Sequence, residues 1–342
     1  MVVGVCGYGY TGSGAVIDLL TEYEECSVND DFEFCFTYIP YGLQDLKYSL
    51  IDHPSRYNSS EAAIKNFQRW VKAQNSIHNY IMMGTNRKFI SLSKQFIEKL
   101  VSVSWKGYSS FDYVHYTWFQ KKVLFRINRR ILKFCGKHFH FELPIFPNSE
   151  MCVGITDEDA FMKASREYIG DIIESMRIDT RKIMVLNQPF EANAPEQSFP
   201  YFNDPRAIVV DKDPRDLYLL AKIVIGTDAR FIPTDSVDDF IRFYKTTHAC
   251  ISSNDRILRL NFESLIYDYE ATKMMIEKFV GVSNHALPRT RFNPQESINN
   301  TQLFLKYREY EDDIKRIKDE LKEWLFPFEL YDEAPHFESG SF

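Results

Sequence analysis

One stretch narrows the fold more than any other. An apolar run over 1–6 meets Gly7-Tyr8-Gly9-Tyr10-Thr11-Gly12-Ser13-Gly14, and apolar residues at helical spacing follow at Val16, Leu19, Leu20 and Tyr23. By periodicity this is strand, loop, helix. Glycines there let the chain turn tightly, so that successive backbone N–H groups point into the turn beside the positive end of the helix dipole and cradle a phosphate. The Thr11 and Ser13 hydroxyls add donors. Gly7, Gly9 and Gly12 have the GxGxxG spacing of dinucleotide-binding loops, which also want an acidic residue ending the second strand. Asp30 and Asp31 come before the second strand expected here, at 32–39. Gly7 and Gly12 also have the GxxxxGK[ST] spacing of nucleoside triphosphatases, but position 13 is serine where that loop needs lysine. A turn that needs its glycines only for packing is the plain alternative.

Beyond the strand expected at 32–39, amphipathic helices are expected at 61–81, 90–102 and 113–137, then a strand at 151–155 and a helix at 157–178. Strands at 182–186, 207–210 and 257–260 alternate with helices at 217–224 and 237–250, and helices at 269–280 and 309–325 follow. Strands alternating with helices predict a parallel sheet between two helical layers, an α/β fold. No repeat, low-complexity tract or long linker separates domains, so the expectation is a single domain over 1–342 with a helical insertion at about 41–149.

The formal charge of −7 and pI near 5.7 argue against a surface that coats nucleic acid, so an anion must be held by local geometry. The six cysteines form no CxxC pair and most lie in apolar runs, which suits a reducing compartment. With neither a leader-like start nor an apolar run of the roughly 18 residues a membrane span needs, a cytoplasmic location is expected.

The run Ala207-Ile208-Val209-Val210-Asp211-Lys212-Asp213-Pro214-Arg215-Asp216-Leu217-Tyr218 is a buried strand that stops at a charged cluster and restarts as a helix. Proline suits the first helical position and Asp213 can cap it, which holds Lys212 and Arg215 at the carboxyl end of a strand, where parallel sheets bind ligands. A salt-bridged, solvated helix start would need the same residues.

This run resembles the segment with which sulfotransferases that use 3′-phosphoadenosine 5′-phosphosulfate (PAPS) grip the 3′-phosphate, and Tyr10-Thr11-Gly12-Ser13-Gly14 resembles their phosphosulfate loop. In order along the chain, Ile257 to Leu265, Phe279-Val280-Gly281-Val282 and the segment from Phe292 to Thr301 resemble further pieces of the family. The likeness covers the stretch up to about Ile39 and the chain from Lys182 onward. It implies a P-loop-type nucleotide-binding fold and a sulfotransferase that moves a sulfuryl group to an acceptor hydroxyl, expected from the bacterial relatives it resembles to be that of a carbohydrate. PAPS would be the donor and PAP the product, with no metal required.

The same resemblance implies that Gly9, Thr11, Gly12, Ser13 and Gly14 bind the 5′-phosphosulfate, that Lys212 and Arg215 take the 3′-phosphate, and that Ser297 and Asn300 lie over the nucleotide. Two positions depart from it. Tyr10 stands where the family places a cation beside the bridging oxygen, and Leu220 where it places a serine. Tyr10 and Ser13 are the candidate catalytic residues, with His115 as candidate base among His138, His140, Glu142 and Asp112. A catalytically weak nucleotide-binding protein and a nicotinamide-dependent dehydrogenase are the competing readings. Lys121, Lys122, Arg126, Arg129, Arg130, Lys133 and Lys137 interleave with apolar residues, as in a packing helix or a contact with an acidic glycan or lipid-linked acceptor at a membrane surface. Oligomeric state is not legible.

Overall fold

The computed structural model describes residues 1–30, 32–55, 59–76, 88–107, 116–139, 149–176, 178–285, 291–332 and 335. The chain divides into two compact units, one of residues 1–39, 78–86 and 169–342, the other of residues 40–77 and 87–168.

In the first unit, β1 (Val2–Gly7) leads through the glycine loop into α1 (Ser13–Thr21), and β2 (Cys26–Asn29) follows. The second unit holds α2 (Leu43–Lys47), α3 (Ser59–Ser76), α4 (Lys88–Leu100), β3 (Val101–Gly107), α5 (Phe125–Phe139), β4 (Ser149–Gly154) and the start of α6 (Glu158–Ser175). The first unit then continues with β5 (Ile183–Asn187), β6 (Pro205–Asp211), α7 (Pro214–Leu219), α8 (Val237–Thr247) and β7 (Ile257–Asn261). Its last elements are α9 (Ser264–Tyr267), α10 (Tyr269–Val280), α11 (Pro294–Ser297), α12 (Leu303–Lys306) and α13 (Glu311–Glu320).

Five strands form one sheet in the order β2-β5-β1-β6-β7, and every neighbouring pair is parallel. This is the α/β fold expected. Val2 to Cys6 in β1 and Ala207 to Val210 in β6 are all buried, so successive residues pointing to opposite faces both meet protein. A sheet covered on both faces reads as continuous apolar runs, which is why these two strands stand out in the sequence. Val3, Val5, Ile208, Val210 and Leu260 share a core with Val16, Leu19 and Leu20 of α1 and Ile276 and Val280 of α10. A second cluster joins Leu217 and Tyr218 of α7 to Phe240 and Tyr244 of α8 and Ile317 of α13.

Two expected strands lie elsewhere. The second strand is Cys26–Asn29, paired with β5, and not 32–39. Phe32, Phe34 and Phe36 alternate as strand residues do, but they are buried against one another and, through Phe34, against Phe202. Aromatic packing, and not a ladder, accounts for that alternation. Asp30 therefore follows the second strand directly, which removes the order-based objection to a dinucleotide loop. The sheet raises a different one: β5 lies between β1 and β2, whereas in both common doubly wound orders the first two strands are neighbours.

The strand expected at 151–155 is β4, which does not join the parallel sheet but pairs antiparallel with β3, from Val101↔Gly154 to Gly107↔Ser149. Apart from residues 78–86, the stretch expected as an insertion, 41–149, falls in the second unit, which extends to Tyr168. That unit has its own core, in which Tyr168 stacks on Phe96 at 4.5 Å, Phe67 packs edge-on against both, and the Tyr168 hydroxyl meets Ser93 Oγ at 2.7 Å.

Candidate functional site

The glycine loop is held in place by the side chains of Thr11 and Gln188. Gly7 N–H donates to Gln188 Oε1 at 3.1 Å, Tyr8 N–H donates to Thr11 Oγ1 at 3.1 Å, and the Thr11 hydroxyl donates to the Val210 carbonyl at 2.7 Å. Thr11 is thereby buried and bound across to the end of β6. The Tyr8 ring stacks on His248 at 4.0 Å, and His248 in turn stacks on Tyr244 at 3.9 Å with its Nε2 3.0 Å from Asp211 Oδ2.

Gly9, Tyr10 and Gly12 all have positive φ, at 89°, 55° and 94°. At Gly12 a side chain would strike the Phe262 ring as well, so this residue must be glycine on two counts. The turn delivers the chain into α1 with no side-chain cap at Gly12, and the first N–H groups of a helix have no partner within it. Helix α1 carries no acidic residue in its first turn. Its amino end is therefore a positive pole, with the Asp18 carboxyl further along the same helix also lining the neighbouring cavity.

A cavity of about 360 Å³ opens beside this loop, within the range of roughly 300–1,000 Å³ usual for small-molecule sites. Its lining combines Tyr10, Gly12 and Gly14 with Lys212 at the end of β6, Phe262 after β7, and Arg291, Asn293, Ser297 and Asn300 around α11, together with two carboxylates, Asp18 of α1 and Glu296 of α11. Leu220 and Ile225 give it an apolar side. Strands β1 and β6 are direct neighbours, which is why two segments some 200 positions apart meet at their carboxyl ends. Asn300 Oδ1 is buried and has no hydrogen-bond partner among the described residues.

Lys212 is buried with its Nζ 3.8 Å from the centre of the Phe262 ring. Burial lowers its pKa, opposed by the charges of Glu263, Asp216 and Asp213. Burial pushes Glu263 up to about 8 and Asp216 up to about 7; the negative charge of Asp213 adds to both, while Lys212 opposes it. Glu263 Oε1 accepts from the Asp213 N–H at 3.0 Å, and its Oε2 is buried without a partner among the described residues. The corner is thus one lysine beside Asp213 and two further carboxyls, Glu263 and Asp216, whose protonated forms burial favours.

Arg215 does not line the cavity. Its Nε and Nη2 donate to the two oxygens of Asp213 at 2.9 and 2.6 Å, Nη2 also reaches the Phe326 carbonyl at 3.3 Å, and the guanidinium lies over Phe304 at 4.6 Å. Asp213 accepts the Arg215 N–H as the cap of α7 and the Phe326 N–H as well. The pair ties the helix start to the chain beyond α13.

Of the other sequence candidates, Tyr10, Gly12, Gly14, Ser297 and Asn300 line the cavity with Lys212; Gly9 and Ser13 belong to the same loop without lining it. Tyr10 packs against Phe231 at 5.7 Å between ring centres. His115, His140, Glu142 and Asp112, and the side chain of His138, lie outside the described residues. Arg291 is the functional-looking residue the sequence reading passed over, one position ahead of the segment beginning at Phe292 that drew attention.

A cavity of about 430 Å³ in the second unit is lined by Ile64, Lys65, Glu98 and Cys152 among others, but Lys65 pairs with Glu61 at 2.6 Å and Lys94 with Glu98 at 3.9 Å. No glycine loop faces it.

No family model matches the chain, and no curated protein matches it. Among solved structures, the crystal structure of sulfotransferase STF9 from Mycobacterium avium aligns with 99% of this chain and 78% of that chain, at 11% sequence identity and a TM-score of 0.33. A superposition that loose leaves the α/β architecture resting on the strand pairings themselves.

Proposed function

We propose that the protein is a sulfotransferase that binds 3′-phosphoadenosine 5′-phosphosulfate in the cavity beside α1 and passes the sulfuryl group to an acceptor hydroxyl, that of a carbohydrate by the sequence resemblance. The observation that carries this reading is the meeting of the glycine loop, Lys212 and the Ser297–Asn300 turn on one cavity at the ends of β1 and β6. Two anionic groups on one adenosine need two sources of positive potential, and the cavity offers the amino end of α1 and the cations Lys212 and Arg291, set against the carboxyls of Asp18 and Glu296.

In the transfer, an acceptor oxygen forms a bond to sulfur while the bond from sulfur to the bridging phosphate oxygen breaks. The electron pair leaves with adenosine 3′,5′-bisphosphate and the acceptor proton goes to a base. Charge builds on the departing phosphate, so fixed N–H donors and a cation on that side lower the barrier. Gly12, Ser13 and Gly14 would supply the N–H groups, Lys212 the cation, and Asn300 Oδ1 an acceptor for the nucleotide. Arg215 supports the site by holding Asp213 and the start of α7, without touching the ligand.

A second reading, a nucleotide-binding protein of low turnover, draws on Tyr10, whose ring is occupied by Phe231 where the family has a cation. The experiment is a thermal-shift comparison of adenosine 3′,5′-bisphosphate, ATP and NAD, followed by donor turnover with a panel of sugars. Adenosine 3′,5′-bisphosphate should raise the melting temperature, by the equivalent of ~2.7 kcal/mol at a hundredfold excess over Kd. Lys212→Ala should abolish that shift. Arg215→Ala should instead lower the melting temperature of the unliganded protein, because it strands a buried carboxylate at a cost of ~3–5 kcal/mol. A shift with NAD alone would overturn the proposal; binding without turnover on any sugar would favour the second reading.

A further inference from the structure

We infer that the exposed face of α5 and the turn before it dock on an anionic lipid surface. This rests on the second unit alone and does not depend on what the nucleotide-like cavity binds. From Tyr113 to Phe141 the sequence holds no aspartate or glutamate, while Lys121, Lys122, Arg126, Arg129, Arg130, Lys133 and Lys137 fall within it, in a chain whose overall charge is −7. The segment is a cationic island on an acidic protein.

Its apolar side chains are not hidden either. Trp118 is 71% exposed, Phe119 55%, and Ile127 and Ile131 49% each. Ile127 and Ile131 are four apart and so share one face of α5. Arg126, Arg130 and Lys133, spaced four and three apart, form a cationic row beside that face, and Arg126, Arg129, Arg130 and Lys133 are all exposed. An apolar row flanked by a cationic row is the pattern of a helix lying in the plane of a membrane interface.

No helix among the described residues is long and apolar enough to cross a bilayer, and α5, with 15 residues, is about 22 Å long. The helix therefore suits the surface and not the interior. A soluble polyanion would satisfy the arginines but leave Trp118, Phe119, Ile127 and Ile131 in water. Anionic headgroups above acyl chains complement both rows at once.

The test is co-sedimentation of the full chain with vesicles of phosphatidylcholine alone and of equal parts phosphatidylcholine and phosphatidylglycerol, at low and at 0.5 M salt. Partitioning to the anionic vesicles should be at least tenfold stronger and should weaken in salt, a comparison that needs no variant. Replacing Arg126, Arg129 and Arg130 together by glutamine should cost on the order of a hundredfold, at roughly fivefold for each cation near the surface. The double variant Ile127→Ser, Ile131→Ser keeps every charge and should still lose about tenfold. All substituted side chains are exposed, and circular dichroism checks the fold. Equal pelleting on both vesicles, no pelleting on either, or an isoleucine variant that binds as well as the wild type would overturn the inference. The last result, with retention on heparin lost only in the arginine variant, would make this face a polyanion site instead.

Discussion

Glu263 and Lys212 share one buried corner, and their titration gives that corner a pH signature. Burial, reinforced by Asp213 and Asp216, pushes the Glu263 carboxyl up to about 8, far above its ordinary range. The folded protein thus prefers the protonated carboxyl. The stability this contributes is complete below the ordinary carboxylate range and is lost at up to ~1.4 kcal/mol for each pH unit between that range and about 8, where the unfolded chain has ionised and the folded protein has not; above about 8 the loss levels off. Lys212, whose pKa burial lowers, works in the opposite sense, and Asp216, raised to about 7, in the same sense as Glu263. The melting temperature should therefore carry a falling contribution from about pH 5 to about 8 that levels off above it, and Glu263→Gln, which can still accept the Asp213 N–H, should flatten that fall without removing it. A wild-type slope no steeper than that of Glu263→Gln would show that this carboxyl is ionised throughout. At the same scale, Arg215 stands three positions from Lys212 but does not line the cavity, its guanidinium being bound to Asp213, the cap at the start of α7.

At the scale of elements, the unit β1, glycine loop and α1 carries the strictest demand in the molecule. Gly12 combines a φ of 94° with a position at which any Cβ would run into Phe262, a ring that also lies under Lys212. Gly12→Ala should cost ~1–3 kcal/mol of stability from strain and overpacking, and by displacing Phe262 it should also abolish the thermal shift with adenosine 3′,5′-bisphosphate. Gly14 has nothing within 4 Å of where a Cβ would stand, so Gly14→Ala should leave the melting temperature of the unliganded protein unchanged or raise it slightly. Equal losses in the two variants, measured by thermal denaturation, would mean that the loop does not need its left-handed turn at Gly12. Much of this element was legible in the sequence because its signals are local: a continuous apolar strand, clustered glycines, and an apolar helical face. The strand β6 and the proline-started α7 were legible for the same reason. The strand β2 was not, since its four residues Cys26–Asn29 have no alternation to read, while the nearby phenylalanines imitate one through tertiary packing.

For the molecule as a whole, the alternation of strands and helices announced a parallel sheet, but the strand order could not be read, because it depends on which apolar faces meet across long connections. The separation of β1 from β2 by β5 and the pairing of β4 with β3 are facts of that kind. Arg291 escaped notice for a related reason: only the fold brings it to the cavity that Lys212 shares. The cysteines test the packing of the whole chain with one measurement. All six are free; Cys6, Cys26, Cys35 and Cys152 are buried, Cys135 is half-buried and Cys250 exposed. Burial pushes the thiols of Cys6, Cys26 and Cys35 up to about 12 and raises that of Cys152, so at pH 8 none of them offers appreciable thiolate. With a disulfide reagent such as dithiobisnitrobenzoate, the folded protein should show one fast thiol, one slower thiol, and four that react only as fast as the structure opens. Cys250→Ser should remove the fast phase, and guanidinium should release all the thiols together. Because the slow thiols lie in both units, Cys152 in one and Cys6, Cys26 and Cys35 in the other, their rates report each core separately. A fast reaction at Cys152 alone would mean that the second unit opens independently, whereas fast reaction at Cys6, which lies in the central strand, would contradict the buried sheet on which the candidate site is built.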